Sequence, residues 1–88
     1  MDSFMGETYQ KRIDKKRFVD GIFIQDLLYE VGLVASDSEA RKLIAGGGAY
    51  VNHNVVDPRL EIVDDKDLID DKVIVSVGRK RHVIVWAV

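Results

Sequence analysis

The chain has 88 residues, a formal net charge of −2 and no cysteine, so its length suits one modest domain. The lack of cysteine excludes a disulfide framework and a zinc ribbon, and no apolar run approaches the roughly 20 residues that cross a bilayer. The charge is segregated, with three cations and no anion in residues 73–88, so local basic patches can attract an anionic partner despite the acidic total.

Residues 1–20 are predicted to be a linker or lead-in to a domain at 21–88, because they are polar and their apolar residues recur rarely. Such a segment need not be ordered. Lys15, Lys16 and Arg17 form a basic run within it, which would help to bind an anionic partner if the segment is ordered.

A first helix is indicated by four apolar residues whose spacing places them on one face: Ile24, Leu27, Leu28 and Val31. Asp20 is predicted to cap its start, and Gly32 to end it.

A second helix is indicated by Ser36 and Glu39, which have the spacing of a capping box. Its helical period turns Ala40, Leu43 and Ile44 inward, and it turns Arg41 and Lys42 outward together. A solvated face with an Asp37–Arg41 pair, worth about 0.3–0.5 kcal/mol, would explain these two cations equally well.

Three glycines, at positions 46–48, follow this helix. Gly46 or Gly47 suits the left-handed residue that ends many helices, and Gly48 lets the chain turn into a strand. A cap needs one glycine, so three indicate that something else approaches the backbone here. A phosphate-binding P-loop is excluded because its glycines precede a helix.

Two hairpins are predicted after the glycines. Asn52, His53 and Asn54 would form the turn of the first, because Asn tolerates left-handed conformations. The alternating segments VIVSV and HVIVWAV would form the second, with Arg79, Lys80 and Arg81 at its tip. A cationic tip is also common on solvated turns and prevents edge-to-edge aggregation. The predicted core is Leu27, Leu28, Leu43, Ile44 and Val51.

No group of residues in the sequence suggests catalysis or metal binding. His53 and His82 are isolated from cysteine and from spaced carboxylates. The acidic residues lack the spacing of a calcium loop; they are Asp64, Asp65, Asp67, Asp70 and Asp71. We therefore predict no catalytic residue, metal or cofactor in this chain.

The stretch LLYEVGLVASDSEARKLIAGGGAYVNHNVV resembles the S-four RNA-binding domain, named for ribosomal small-subunit protein four. The matching residues are Leu27-Leu28, Gly32-Leu33, Ser36, Ser38-Glu39-Ala40-Arg41, Leu43-Ile44, Gly47-Gly48 and Val51-Asn52. The segments DKDLIDDK and VIVSVGRKRHVIVWA resemble the end of bacterial-type tyrosyl-tRNA synthetases, which extends the resemblance over residues 21–88.

The resemblance implies an α+β fold in which a helix pair packs on a small sheet of mixed or antiparallel strands with a C-terminal β-hairpin. It implies that the second helix and its glycine-rich exit lie on RNA, which would be tRNA contacted at its variable arm and anticodon stem. With the basic tip and the lead-in, the expected RNA-binding set is Arg41, Lys42, Gly47, Gly48, Asn52, His53, Arg79, Lys80, Arg81, Lys15, Lys16 and Arg17.

The resemblance also implies a non-catalytic, monomeric domain cut from a longer tyrosine–tRNA ligase, a homodimeric, ATP-binding enzyme of the cytoplasm or an organelle. Two positions differ from the usual family pattern: Asp37 replaces a cation, and His53 replaces the glycine of an Asn-Gly turn. Two other functions fit the same residues. One is an S-four module of another RNA protein, such as a pseudouridine synthase or a ribosome-associated factor, and the other is a docking module whose RNA face has decayed.

Overall fold

The computed structural model describes residues 7–59 and 61–88. The described helices are α1 (Lys15–Asp20), α2 (Ile24–Glu30), α3 (Asp37–Ala45) and a 3₁₀ turn at Asp65–Asp67. The described strands are β1 (Glu7–Ile13), β2 (Ile22–Phe23), β3 (Ala49–Val51), β4 (Asn54–Val55), β5 (Ile62–Val63), β6 (Lys72–Val77) and β7 (Arg81–Ala87). Within these ranges no helix has the length and apolar character that a membrane span requires.

A five-stranded mixed sheet has the strand order β1-β7-β6-β3-β4. Strand β1 runs parallel to β7, and the other neighbours in this sheet pair antiparallel. Strands β2 and β5 form a separate two-stranded sheet. Helices with a small mixed sheet and a C-terminal β6–β7 hairpin confirm the predicted α+β class.

The core lies between the helices and one face of the large sheet. Alternate residues of β6 and β7, such as Val75 and Val83, are buried together with Leu27 and Leu28 of α2, as the period-2 pattern of the strands requires. The apolar face predicted for the first helix is therefore confirmed, because Ile24, Leu27, Leu28 and Val31 are all buried.

Two members of the predicted core, Leu43 and Val51, pack against the core but are only partly buried, so the prediction that they are fully buried was wrong. Leu43 lies on the flank of α3, and a Cβ at Gly48 would stand 3.2 Å from its Cδ2 atom. Val51 lines an open cleft with Asn54 and Val55. Ile44, by contrast, is buried as predicted.

The ends of α2 agree with only one of the two predicted signals. Asp20 is the last residue of α1, and α2 begins after Phe23, which forms no side-chain cap. Gly32 ends the helix as predicted, with φ of 84°. The N–H of the following Leu33 donates to the carbonyl of Leu28 at 3.0 Å, which closes a Schellman motif.

The interpretation of residues 1–20 as a linker fails for residues 7–20, whereas residues 1–6 lie outside the described part. Strand β1 is the edge of the sheet, and α1 begins at an Asp14 cap whose carboxylate accepts from the Lys16 N–H at 2.9 Å. Phe18 is fully buried. Strand β1 was not predicted, because Tyr9, Lys11 and Arg12 are all exposed and the segment shows no alternation of apolar and polar residues. It is an edge strand with a single neighbour in the sheet.

The three glycines after α3 have distinct roles. Gly47 has φ of 76°, which confirms a left-handed residue among them. Its N–H donates to the Ile44 carbonyl at 3.2 Å, and the Gly48 N–H donates to the Leu43 carbonyl at 2.8 Å, which again completes a Schellman motif. Gly48 leaves room for the Leu43 side chain, so local packing explains part of the glycine run.

We expect Gly47→Ala to lower the free energy of unfolding by about 1 kcal/mol, because a side chain disfavours the left-handed conformation. The nearest obstacle to an added Cβ is Val55 Cγ2 at 3.9 Å, so no steric clash adds to this cost. Gly32→Ala is the matched comparison, with φ of 84° and open space around the Cβ. Urea unfolding should show similar losses of stability for the two variants. An unchanged midpoint for Gly47→Ala would contradict the capping role.

Candidate nucleic-acid interface

Helix α3 presents its two cations to solvent, as its period predicted. Ser36 Oγ accepts from the Glu39 N–H at 3.1 Å, and the Glu39 carboxylate accepts from the Ala35 N–H at 2.7 Å. The helix start is thus capped from both sides, although the carboxylate binds one residue earlier than a capping box requires. Arg41 and Lys42 are exposed, and the ion pairs of the described residues do not include Asp37 with Arg41.

A backbone hydrogen bond joins the exit of α3 to the tip of the β6–β7 hairpin. The Gly78 N–H donates to the Gly48 carbonyl at 2.9 Å, where Ala49 of β3 pairs with Val77 of β6. Residues about 30 positions apart in the sequence therefore meet at one end of the sheet. The bond therefore ties the glycines that follow α3 to the residue that precedes Arg79 and Lys80 at the hairpin tip.

The first hairpin has a two-residue turn at Asn52 and His53, with φ of 50° and 69°. Positive φ at both positions defines a type I′ turn, the usual hairpin connection. The Asn52 side chain donates to the Asp67 carbonyl at 2.7 Å and accepts from the Ile74 N–H at 3.0 Å. Asn52 therefore holds the turn against the sheet, and its polar atoms are engaged within the protein.

The basic run of the lead-in is largely paired with acids. Arg17 forms a bidentate contact with Glu30, at 2.6 and 2.8 Å, and Lys15 Nζ lies 3.2 Å from an Asp71 carboxylate oxygen. Lys16 is exposed. A carboxylate that is paired with a cation reduces the positive potential that a distant anion would meet. Lys15 and Arg17 therefore contribute less positive potential than their number suggests.

The hydrogen bonds from Arg17 hold the pKa of Glu30 below its usual value. The pair therefore stabilises the fold above the carboxyl pKa of the unfolded chain, and this contribution is lost as the pH falls through the lowered pKa. Both side chains are substantially exposed, at 45% and 40%, so screening limits the pair to about 0.5 kcal/mol.

We accordingly expect Glu30→Gln to destabilise the fold slightly at about pH 7 and to have a smaller effect at about pH 3, because the contribution begins to fall below the usual carboxyl pKa of roughly 4.3 and is lost through the lowered pKa of Glu30. Urea unfolding at both values measures the difference. An equal loss at the two pH values would show that packing, rather than the charge of Glu30, is responsible.

The structure thus brings some of the predicted site together and separates the rest. Arg41 and Lys42 are exposed on the helix that leads to Gly48, Arg79 and Lys80 are exposed directly after Gly78, and no ion pair among the described residues includes any of them. Arg81 begins β7, and its Nη2 donates to the Gly32 carbonyl at 3.4 Å, towards the helices. Gly47 and Gly48 follow the helix that holds the first pair, and His53 is exposed on the turn between β3 and β4.

Sequence reasoning missed three residues beside this surface. Tyr50, Ser76 and His82 pair across β3, β6 and β7 in one row of the sheet, on the face opposite the buried valines. Ser76 is almost completely buried and contacts His82. Strand alternation could have placed them on one face, but only the register of the three strands places them side by side.

Comparisons with known proteins find a matching family and similar proteins. Residues 24–69 match the family described as S4 domain. The chain is 45% identical over 74 residues to the tyrosine–tRNA ligase of Rickettsia africae (strain ESF-5), covering 83% of this chain and 18% of that protein. It is 48% identical over 66 residues to the tyrosine–tRNA ligase of Rickettsia rickettsii (strain Sheila Smith), covering 74% of this chain and 16% of that protein. The chain therefore spans less than a fifth of the length of these relatives.

Proposed function

Since the chain belongs to the S4 domain family, we propose that it binds RNA through the cations at the exit of α3 and the tip of the β6–β7 hairpin. The Gly48–Gly78 hydrogen bond carries this proposal, because it ties the glycine exit of α3, the helix that holds Arg41 and Lys42, to the hairpin tip that holds Arg79 and Lys80. Lys and Arg side chains attract nucleic acid mainly by neutralising phosphates. At Gly47 the nearest atom to the position of a Cβ is Val55 Cγ2, at 3.9 Å, so the backbone there leaves room for a phosphate chain.

The RNA partner that we propose is tRNA, with this chain acting as the non-catalytic tRNA-binding domain of a cytoplasmic tyrosine–tRNA ligase. The similarity to two named ligases supports this identification. In the proposed domain the phosphates are contacted by Arg41, Lys42, Arg79 and Lys80. Asn52 has a positioning role, since its side chain is engaged with Asp67 and Ile74.

A salt titration of tRNA binding by the 88-residue chain tests this function. Four phosphate contacts predict that log K falls with log salt concentration with a slope of roughly −2.8 to −3.6. A tRNA with a long variable arm should compete better than one with a short arm, because the family resemblance implies contact with that arm. An absence of binding at low salt would contradict the proposal and favour a docking module.

A further inference from the structure

A shallow cleft of about 260 Å³ lies between the β3–β4 turn and the tip of the β6–β7 hairpin. Its lining is Tyr50, His53, Ser76, Gly78, Arg79 and His82. Its volume lies just below the roughly 300–1,000 Å³ of clefts that take drug-sized ligands, which suits one planar ring system. Gly78 also donates the hydrogen bond that joins the tip to Gly48, so the cleft adjoins the glycines that follow α3.

The wall formed by His82 is held at both ring nitrogens. Nδ1 lies 2.7 Å from Ser76 Oγ, and Nε2 lies 3.2 Å from the Arg79 carbonyl oxygen. A carbonyl can only accept, so in the neutral ring Nε2–H donates to it and Nδ1 accepts from the Ser76 hydroxyl. The same two contacts fix the ring and the backbone of the hairpin tip before any ligand arrives.

His53 supplies a second ring. Its centroid lies 6.0 Å from that of His82, with an angle of 64° between the ring planes, which is an edge-to-face arrangement. His53 is exposed, while Tyr50 and His82 are half-buried. The cleft therefore has two aromatic walls fixed by the sheet and one on the turn that a ligand can reach from solvent.

The charge around the cleft favours an anionic ligand. Arg79 is exposed at the margin, and the ion pairs of the described residues do not include it. A Cβ at Gly78 would have no atom within 4 Å, so this side of the cleft is open. Aromatic rings beside a free guanidinium match the requirements of one nucleotide, whose base stacks while its phosphate meets the cation.

We propose that this cleft receives the base of one unpaired nucleotide of the bound RNA, with its phosphate at Arg79. The inference rests on the proposed RNA-binding function and adds a structural preference to it. A base inside an A-form duplex is stacked on its neighbours, whereas bases in bulges and loops can be splayed out onto aromatic side chains. The cleft thus selects RNA with an unpaired nucleotide next to a duplex whose phosphates lie on the cations.

The test compares two RNA hairpins that differ by one bulged nucleotide, using fluorescence anisotropy with the 88-residue chain at low salt. We expect the bulged hairpin to bind roughly fivefold more tightly or better, the lower end of what one base–ring stack contributes. His53→Gly should reduce this preference to about one. Glycine is unstrained at the φ of 69° of His53, and Asn-Gly is a favoured type I′ pair, so the variant removes the ring without disturbing the turn.

Two control variants separate the cleft from the general RNA surface. Arg41→Ala combined with Lys42→Ala should lower the affinity for both RNA hairpins by the same factor and keep the preference for the bulged one. Lys66→Ala, among the acids of the 3₁₀ turn, should change neither affinity. If His53→Gly preferred the bulged RNA hairpin as strongly as the wild type does, the cleft proposal alone would be overturned. Failure of the wild type to bind either hairpin would overturn the proposed function and the cleft with it.

Discussion

Phe18→Ala should lower the free energy of unfolding by about 3–5 kcal/mol, the usual cost of deleting a buried aromatic side chain. Phe18 is fully buried and is the buried residue of α1. A chain of 88 residues has a total stability of roughly 4–13 kcal/mol at 0.05–0.15 kcal/mol per residue. The substitution should therefore remove a large part of the stability of the whole domain.

Urea unfolding followed by circular dichroism measures this loss, with Val19→Ala as the control. Val19 is the next residue of the same helix and is 60% exposed, so its truncation should change the stability by less than about 0.5 kcal/mol. If Phe18→Ala were as mild as Val19→Ala, α1 would not belong to the cooperative fold, and residues 7–20 would behave as the linker that their composition suggested.

The largest expected effect on binding comes from removing the cations in pairs. Arg41→Ala with Lys42→Ala, or Arg79→Ala with Lys80→Ala, should each reduce the slope of log K against log salt by about 1.4–1.8, because each phosphate contact contributes roughly 0.7–0.9. The affinity for tRNA at low salt should fall on the order of tenfold or more for each pair. The four changes together should leave little salt dependence.

Arg59→Ala with Lys66→Ala is the matched control, because it also removes two exposed cations. Arg59 is paired with Asp57 at 3.1 Å, and Lys66 stands among acids. This variant should leave the slope nearly unchanged. Equal slopes for all variants would remove the proposed interface. A reduction confined to the Arg79 and Lys80 variant would show that Asp37 cancels the field of the helix and that the hairpin tip binds alone.

What the sequence by itself determined was the part of the fold that rests on neighbouring residues. The face of α2, the Ser36 cap, the left-handed glycine and the two hairpins follow from helical period and turn chemistry, which act within a few residues. The outward direction of Arg41 and Lys42 follows from the same period. The resemblance to a known family also depends on this local pattern, which is why it could be seen before the structure.

Only the tertiary structure decided which of those features meet. Strand β1 exists because it pairs with β7, more than 70 residues away, and its exposed side chains carry no alternating signal. Lys15 and Arg17 are neutralised by Asp71 and Glu30, which are 56 and 13 residues away. The register of β3, β6 and β7 aligns Tyr50, Ser76 and His82 into a cleft wall. Such pairings depend on sheet order and register, which long-range packing selects and local periodicity leaves open.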